Sequence, residues 1–356
     1  MSKKSKSDIS TDALKALESL DKMNPLAGFL NESTLSNVKD WHDTGCLVLN
    51  SIISGSLYKG VPKGRVTGFA GPSMAGKTYI INKILAGAQR EGMIPVIFDT
   101  EAAVDESSVR GVGLDPEKVK YVPVQTVEET RNQIVKFLDR IIENKQQGKF
   151  IISIDSLGNL ASKKEMEDIE KDKSAVDMGT RAKGLKSMMR TLTFKAAEAN
   201  TTILFSNHTY DDPAAMFPSL VKNQAGGKGP VYLASVLVQL AKRDERNDKN
   251  NESDQMIAEA KNYSGTTLRA LTVKNRFVPP FLEAEMYLNF KTGLDKYSGL
   301  LNVAVNHGAI VQTGSTYQLP DGTKLGYYKQ WRDNEEIWEK VLPVIEEKLK
   351  EDYQYN

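Results

Sequence analysis

The 356-residue chain has a single cysteine, three histidines, three tryptophans and no internal repeat. Cys46 alone cannot close an intrachain disulfide, which excludes a disulfide-stapled secreted scaffold and fits a reducing compartment. It reads as a small buried apolar residue. No apolar run reaches the roughly 20 residues that cross a bilayer. Met1-Ser2-Lys3-Lys4-Ser5-Lys6 leads into no hydrophobic signal region. A charge excess is also missing, since 47 basic and 46 acidic side chains leave a net +1. That balance does not argue against nucleic-acid binding, because a basic stripe depends on distribution rather than total. The expectation is a soluble cytoplasmic protein with one large core and one or two small modules.

What is present is an alternation of apolar strands and helical stretches. Strands are expected at Val66–Ala70, Ile94–Phe98, Phe150–Ile154 and Thr202–Ser206, with helices at 77–90, 127–144 and 178–199 between them. Continuous apolar strands separated by helices read as a mainly parallel sheet covered on both faces. Three later strands, near 234–241, 267–274 and 283–290, lack long helices between them and read as an antiparallel extension. Lys242–Gln255, rich in charge, Asn and Ser, reads as a solvated loop. Before the sheet, Leu14, Leu17, Leu20 and Met23 recur at helical spacing. After Asp295, a helical segment (Gly299–Asn306) leads to a hairpin turn at Pro320-Asp321-Gly322. A last helix carries Ile337, Val341, Val344, Ile345 and Leu349 at core spacing. The expected division is 1–40, 41–294 and 295–356.

Gly71-Pro72-Ser73-Met74-Ala75-Gly76-Lys77-Thr78 is a complete P-loop in a strand–loop–helix setting. Glycines at both ends let backbone N–H groups point at phosphate oxygens, and the next helix turns its N-terminus on the same anion. Lys77 is placed to reach the β/γ-phosphates and Thr78 to offer a hydroxyl to Mg²⁺. ATP and Mg²⁺ are therefore the expected cofactors. Asp155, closing the strand 150–154, is the candidate second metal ligand, and a helix N-cap is its plainer reading. Glu101 follows the strand 94–98 and could orient the attacking water, with Asp99 and Asp105 as neighbours that spacing cannot separate from it. Ser206-Asn207-His208 ends another strand at the same edge, where His208 could sense the γ-phosphate.

Between Met178 and Ala197 lie five basic residues and no acidic one. On a helix, Lys183, Lys186 and Arg190 share one face, opposite Leu185, Met188, Met189 and Leu192. A solvated face and a phosphate-tracking stripe explain these cations equally well. Two long segments without helix or strand pattern favour the second: Ala161–Asp177, and Tyr210–Pro230 with Lys222, Gly226, Gly227 and Lys228. A Gly- and Lys-containing loop permits close approach to a phosphodiester chain.

These motifs in this order, with Val273-Lys274-Asn275-Arg276 after them, resemble the RecA recombinase family. Ile154-Asp155-Ser156-Leu157-Gly158-Asn159-Leu160-Ala161-Ser162-Lys163-Lys164-Glu165 and Asn207-His208-Thr209-Tyr210 resemble its UvsX branch, found in T-even-like bacteriophages. The motifs span about residues 45–330. The resemblance implies an α/β RecA-like ATPase core with a short N-terminal helical segment and a small C-terminal αβ module. It also implies a homo-oligomeric filament on single-stranded DNA that pairs homologous duplex DNA, in a host cytoplasm if phage-encoded. A recombination mediator and a single-strand-binding protein are the implied partners. Glu101 matches the catalytic glutamate and His208 the polar switch residue. Lys274 and Arg276 match cations offered to ATP across the subunit interface, and i, i+2 spacing on a strand would put both on one face. The two long segments match the DNA-binding loops. Where cellular members stack an aromatic residue on adenine, this chain has Ser108 and Val109. No long acidic tail follows the last helix, so control by such a tail is not expected. A ring-forming helicase on the same core, or an ATP-binding paralogue without turnover, are the competing readings.

Overall fold

The computed structural model describes residues 10–33, 35–171, 178–210, 219–243 and 265–353. The chain forms two compact units, 1–39 and 40–356. In the first, Thr11–Met23 is the expected helix, started by Ser10, whose side chain accepts a hydrogen bond from the Ala13 N–H. Leu17, Leu20 and Met23 on it are exposed.

The second unit is built on a ten-stranded sheet. Its strands are β1 (Val66–Gly71), β2 (Ile94–Asp99), β3 (Lys120–Pro123), β4 (Phe150–Asp155), β5 (Thr202–Tyr210), β6 (Asn223–Gln224), β7 (Val236–Arg243), β8 (Gly265–Asn275), β9 (Glu283–Asn289) and β10 (Gly293–Leu294). The spatial order is β10-β9-β8-β7-β1-β5-β4-β2-β3, with β6 pairing β5. β3, β2, β4, β5, β1 and β7 run parallel, and β8, β9 and β10 extend the sheet antiparallel.

Alternation along each strand sends side chains to two cores. Phe69, Ile97, Ile151, Leu204 and Val238 join one, with helix Lys77–Arg90, helix Leu47–Ser54 and the C-terminal helix Glu335–Tyr353. Ala70, Phe98, Ile152, Phe205 and Leu237 join the other, under helices Val127–Glu143 and Met178–Glu198. Both faces being covered explains why these strands are apolar throughout. The C-terminal helix buries Trp338, Val341, Ile345 and Leu349, while Val344 stays exposed. It is fastened by the Glu346 carboxylate, which accepts from the Ser56 hydroxyl (2.8 Å) and the Leu57 N–H (2.7 Å). Thr316–Gln318 and Lys324–Gly326 pair antiparallel around the Pro320-Asp321-Gly322 turn.

Three features depart from the sequence expectation. β3 carries no apolar signal because it is a largely exposed edge strand. Helix Leu47–Ser54 is short and buried at seven of its eight residues, and its polar side chains Asn50, Ser51 and Ser54 bond to main-chain carbonyls instead of marking a solvent face. Ala161–Asp177 is not irregular throughout: Lys163–Glu170 is a helix, started by a capping box in which Ser162 and Glu165 satisfy each other's backbone N–H. Residues 172–177, most of the Lys242–Gln255 loop and 211–218 lie outside the described residues. Among the described residues no helix is long and apolar enough to cross a membrane.

Cys46 is fully buried, as its isolation in the sequence suggested, and burial pushes its thiol up to about 11. A thiol-exchange chromophore is therefore expected to label none of the native protein and one equivalent after denaturation. Fast stoichiometric labelling of the native protein would contradict this packing.

Candidate functional site

The parallel strands end together. Register places Asp99 beside Asp155 and Gly71 beside His208, so the ends of β1, β2, β4 and β5 share one edge. The P-loop leaves that edge and enters helix Lys77–Arg90. A Cβ on Gly71 would lie 2.5 Å from the Leu240 carbonyl oxygen, so β1 and β7 approach closely only because the residue is glycine. Gly76 takes a left-handed conformation (φ 78°) at the helix start. Pro72 and Ser73 are exposed with Met74, whereas Ala75 is buried.

Lys77 is 7% exposed and donates from Nζ to the Gly71 (3.0 Å) and Pro72 (2.7 Å) carbonyls. Burial lowers its pKa, and the nearby Asp155 and Glu101 carboxylates oppose that shift. Thr78 donates its hydroxyl to Asp155 Oδ2 at 2.7 Å, and Ser206 donates to the other Asp155 oxygen. A hydroxyl and a carboxylate in contact beside a phosphate loop fit Mg²⁺. That ion takes one or two protein oxygens and completes its shell with phosphate and water.

Geometry separates the three acids that spacing could not. The Asp99 carboxylate accepts from the N–H groups of Glu101 (2.8 Å), Ala102 (3.1 Å) and Val104 (3.2 Å) and from the Tyr121 hydroxyl (3.1 Å). It holds the turn that carries Glu101. Asp105 caps the short helix Glu106–Gly111. Glu101 is the solvent-facing acid of the three whose carboxylate reaches the strand edge. Its Oε1 accepts from Ser156 Oγ (2.9 Å) and Asn159 Nδ2 (2.7 Å) and lies 3.5 Å from His208 Nε2. Ser156 and Asn159 were missed in the sequence. Their position just past Asp155, at the same sheet edge, was the available signal.

The family model for the RecA N-terminal domain matches residues 15–295. The chain belongs to the RecA family. The match starts well before residue 45, where the motifs alone place it. A "Recombination and repair protein" of Enterobacteria phage T4 is 32% identical over 334 residues, 92% of this chain and 79% of that protein. "Protein RecA" of Arthrobacter sp. (strain FB24) is 28% identical over 295 residues, 82% of this chain and 78% of the relative. "Protein RecA" of Thermus aquaticus is 29% identical over 294 residues, 81% and 80% respectively.

The remaining candidates of this RecA-family chain fall in two places. Lys274 and Arg276 lie at the other end of the sheet. β8 ends at Asn275, whose Cα partner is Val236 at the start of β7, level with Thr67 at the start of β1. Arg276 therefore lies one residue past the strand, so strand alternation does not set its face relative to Lys274; the bulge between Thr272 and Lys274 precedes both. Thr67 to Gly71 spans about 13 Å along β1, and two strand spacings add about 10 Å sideways. Neither cation reaches the P-loop of its own chain. Lys274 Nζ donates to the Tyr232 carbonyl, and burial with Arg276 nearby lowers its pKa to about 8.

The basic helix Met178–Glu198 buries Leu185, Met188, Met189 and Leu192 and exposes Lys183, Lys186 and Arg190. Its other cations are engaged: Arg181 donates to the Gly158 carbonyl, and Lys195 bridges Asp139 (2.8 Å) and Glu198 (3.0 Å). Of the Gly-rich segment, Lys228 is exposed, Lys222 is half-buried, and Gly226 and Gly227 have φ 81° and 75°. Gly226 is needed for packing, since a Cβ there would lie 2.3 Å from Leu185 Cδ1. Val109 is buried and cannot meet a base, whereas Ser108 is exposed.

Asp99→Ala leaves three backbone N–H groups without their acceptor. It should cost about 2–4 kcal/mol in thermal or urea denaturation. An unchanged midpoint would show that Asp99 does not hold the Glu101 turn.

Proposed function

We propose that this protein is an ATP-dependent homologous recombinase. It polymerises on single-stranded DNA, pairs it with homologous duplex DNA, and hydrolyses ATP to ADP and phosphate. The observation that carries this reading is a divided site. The P-loop, Thr78–Asp155 and Glu101–His208 meet at one sheet edge, while Lys274 and Arg276 sit at the opposite edge. Two copies stacked head to tail bring opposite edges together, and a head-to-tail contact that does not close makes a helical filament.

Each group then has a defined role. The loop N–H groups and Lys77 hold the β- and γ-phosphates. Thr78 and Asp155 are the residues that would hold Mg²⁺, which would supply positive charge against the phosphates. The Glu101 carboxylate, fixed by Ser156 and Asn159, accepts a proton from the attacking water and aligns it. His208 lies within reach of Glu101, and its carbonyl accepts the Ala225 N–H (3.0 Å), so the γ-phosphate end is tied to the Gly-rich segment. Lys274 and Arg276 of the next subunit stabilise charge leaving with the γ-phosphate. Lys183, Lys186, Arg190, Lys222 and Lys228 track DNA phosphates.

Glu101→Gln is expected to bind ATP and single-stranded DNA and to form filaments, with hydrolysis lowered by about 10²–10⁴-fold. Lys77→Ala should lose nucleotide binding itself. Equal loss of binding and turnover in both variants, or wild-type turnover indifferent to single-stranded DNA, would overturn the assignment. Lys274 adds a pH signature. With its pKa lowered to about 8 in the free subunit, the cation is lost as pH rises from 7 to 9 and must be regained when it meets a γ-phosphate, so ATP-dependent filament assembly should weaken along that limb. Arginine stays charged there, so Lys274→Arg should remove the limb. An identical alkaline profile in the two proteins would exclude Lys274 from the site.

A further inference from the structure

The geometry points to Gln239 as a positioning residue that clamps the stem of the Gly-rich DNA segment to the strand beside the P-loop. Gln239 lies on β7 and is 8% exposed, and its Cα partner across β1 is Ala70, one residue before the P-loop. The next residue, Leu240, supplies the carbonyl against which Gly71 rests. The Gln239 side chain turns away from the sheet ladder. Its Oε1 accepts the Lys222 N–H at 2.8 Å, and its Nε2 donates to the Leu220 carbonyl at 2.9 Å.

These two bonds grip the peptide groups on either side of Val221. Leu220 and Val221 are 54% and 37% exposed, so little apolar burial fixes the main chain there and the amide does so instead. A primary amide suits the task because it carries a donor and an acceptor on one planar group. Immediately downstream, Asn223–Gln224 pair with β5, and Asn207 Nδ2 donates to the Ala225 carbonyl (3.0 Å). The segment carrying Lys222, Gly226 and Lys228 is thus held from β7 on one side of β1 and from β5 on the other. The β5 anchor belongs to the Glu101–His208 route. The Gln239 anchor is separate and bypasses it, passing from the P-loop strand through Leu240 and Gln239 to Lys222.

The inference rests on the proposed function, in which this segment meets single-stranded DNA. It predicts that Gln239 sets how strongly DNA and nucleotide reinforce each other. The test uses the full-length protein, a fluorescent non-hydrolysable ATP analogue and an oligothymidylate. Nucleotide affinity is measured with and without the oligonucleotide for wild type, Gln239→Met and Gln239→Glu. Methionine keeps the length and volume of the side chain but loses both bonds. Gln239→Met should keep DNA-free nucleotide affinity and Tm close to wild type, while the ratio of the two affinities falls about tenfold. Gln239→Glu keeps the acceptor but sets a carboxylate against the Leu220 carbonyl. It should also lose coupling at neutral pH and recover it, relative to wild type at the same pH, as acid protonates the side chain. Should Gln239→Met lower Tm, this recovery decides between clamp and bulk packing, and its absence counts against the clamp. Full coupling in Gln239→Met with wild-type Tm overturns the inference alone. A wild-type affinity ratio of one overturns the functional reading and this inference with it.

Discussion

Parallel strands point their carboxyl ends the same way, and that polarity governs the rest of this molecule. Because β1, β2, β4 and β5 are parallel and in register, Gly71, Asp99, Asp155 and His208 arrive at one edge without any loop having to bring them together. Because β8 runs antiparallel on the far side of β7, its last residues arrive at the other edge. The same pairing that assembles the phosphate site thus removes Lys274 and Arg276 from it. In the proposed function, a second copy of the chain is needed to supply them.

Within the site, hydrogen bonding assigns different work to similar side chains. Asp99 is encircled by backbone N–H groups and serves the turn. Asp155 faces two hydroxyls, the donors that Mg²⁺ would displace or share. Glu101 keeps a solvent-facing carboxylate held by two uncharged donors, which fix its direction without neutralising it. Lys77 is buried enough to lower its pKa, and the two acids beside it favour its charged form. The elements proposed to face DNA are tied to the same sheet edge: Ala225 to the end of β5, and the basic helix through Arg181 to Gly158, just past β4.

Much of this was legible in the residues. The P-loop, the apolar strands and the basic helix face are local patterns, and each appears where its periodicity or motif places it. What escaped was set by tertiary context. β3 is an exposed edge strand with no apolar alternation, and helix Leu47–Ser54 is short, with its polar side chains bonded inside the protein instead of marking a solvent face. Lys163–Glu170 is rich in charge and reads as loop until its capping box is noticed. Sequence spacing also could not choose among Glu101, Asp99 and Asp105, because the choice depends on which carboxylate the backbone occupies. Gln239 carries no local signal, because its two partners lie 17 and 19 residues away in the chain.

The central claim is that one active site is shared between two copies. Mixing two variants tests it most directly. Glu101→Gln retains the trans cations, and Arg276→Ala retains the P-loop and Glu101, so each alone should hydrolyse ATP poorly on single-stranded DNA. In an equimolar mixed filament, about one interface in four pairs an intact P-loop side with an intact Arg276 side. DNA-dependent turnover should therefore recover to about a quarter of wild type. Turnover in the mixture no greater than the average of the two variants alone would contradict a shared site.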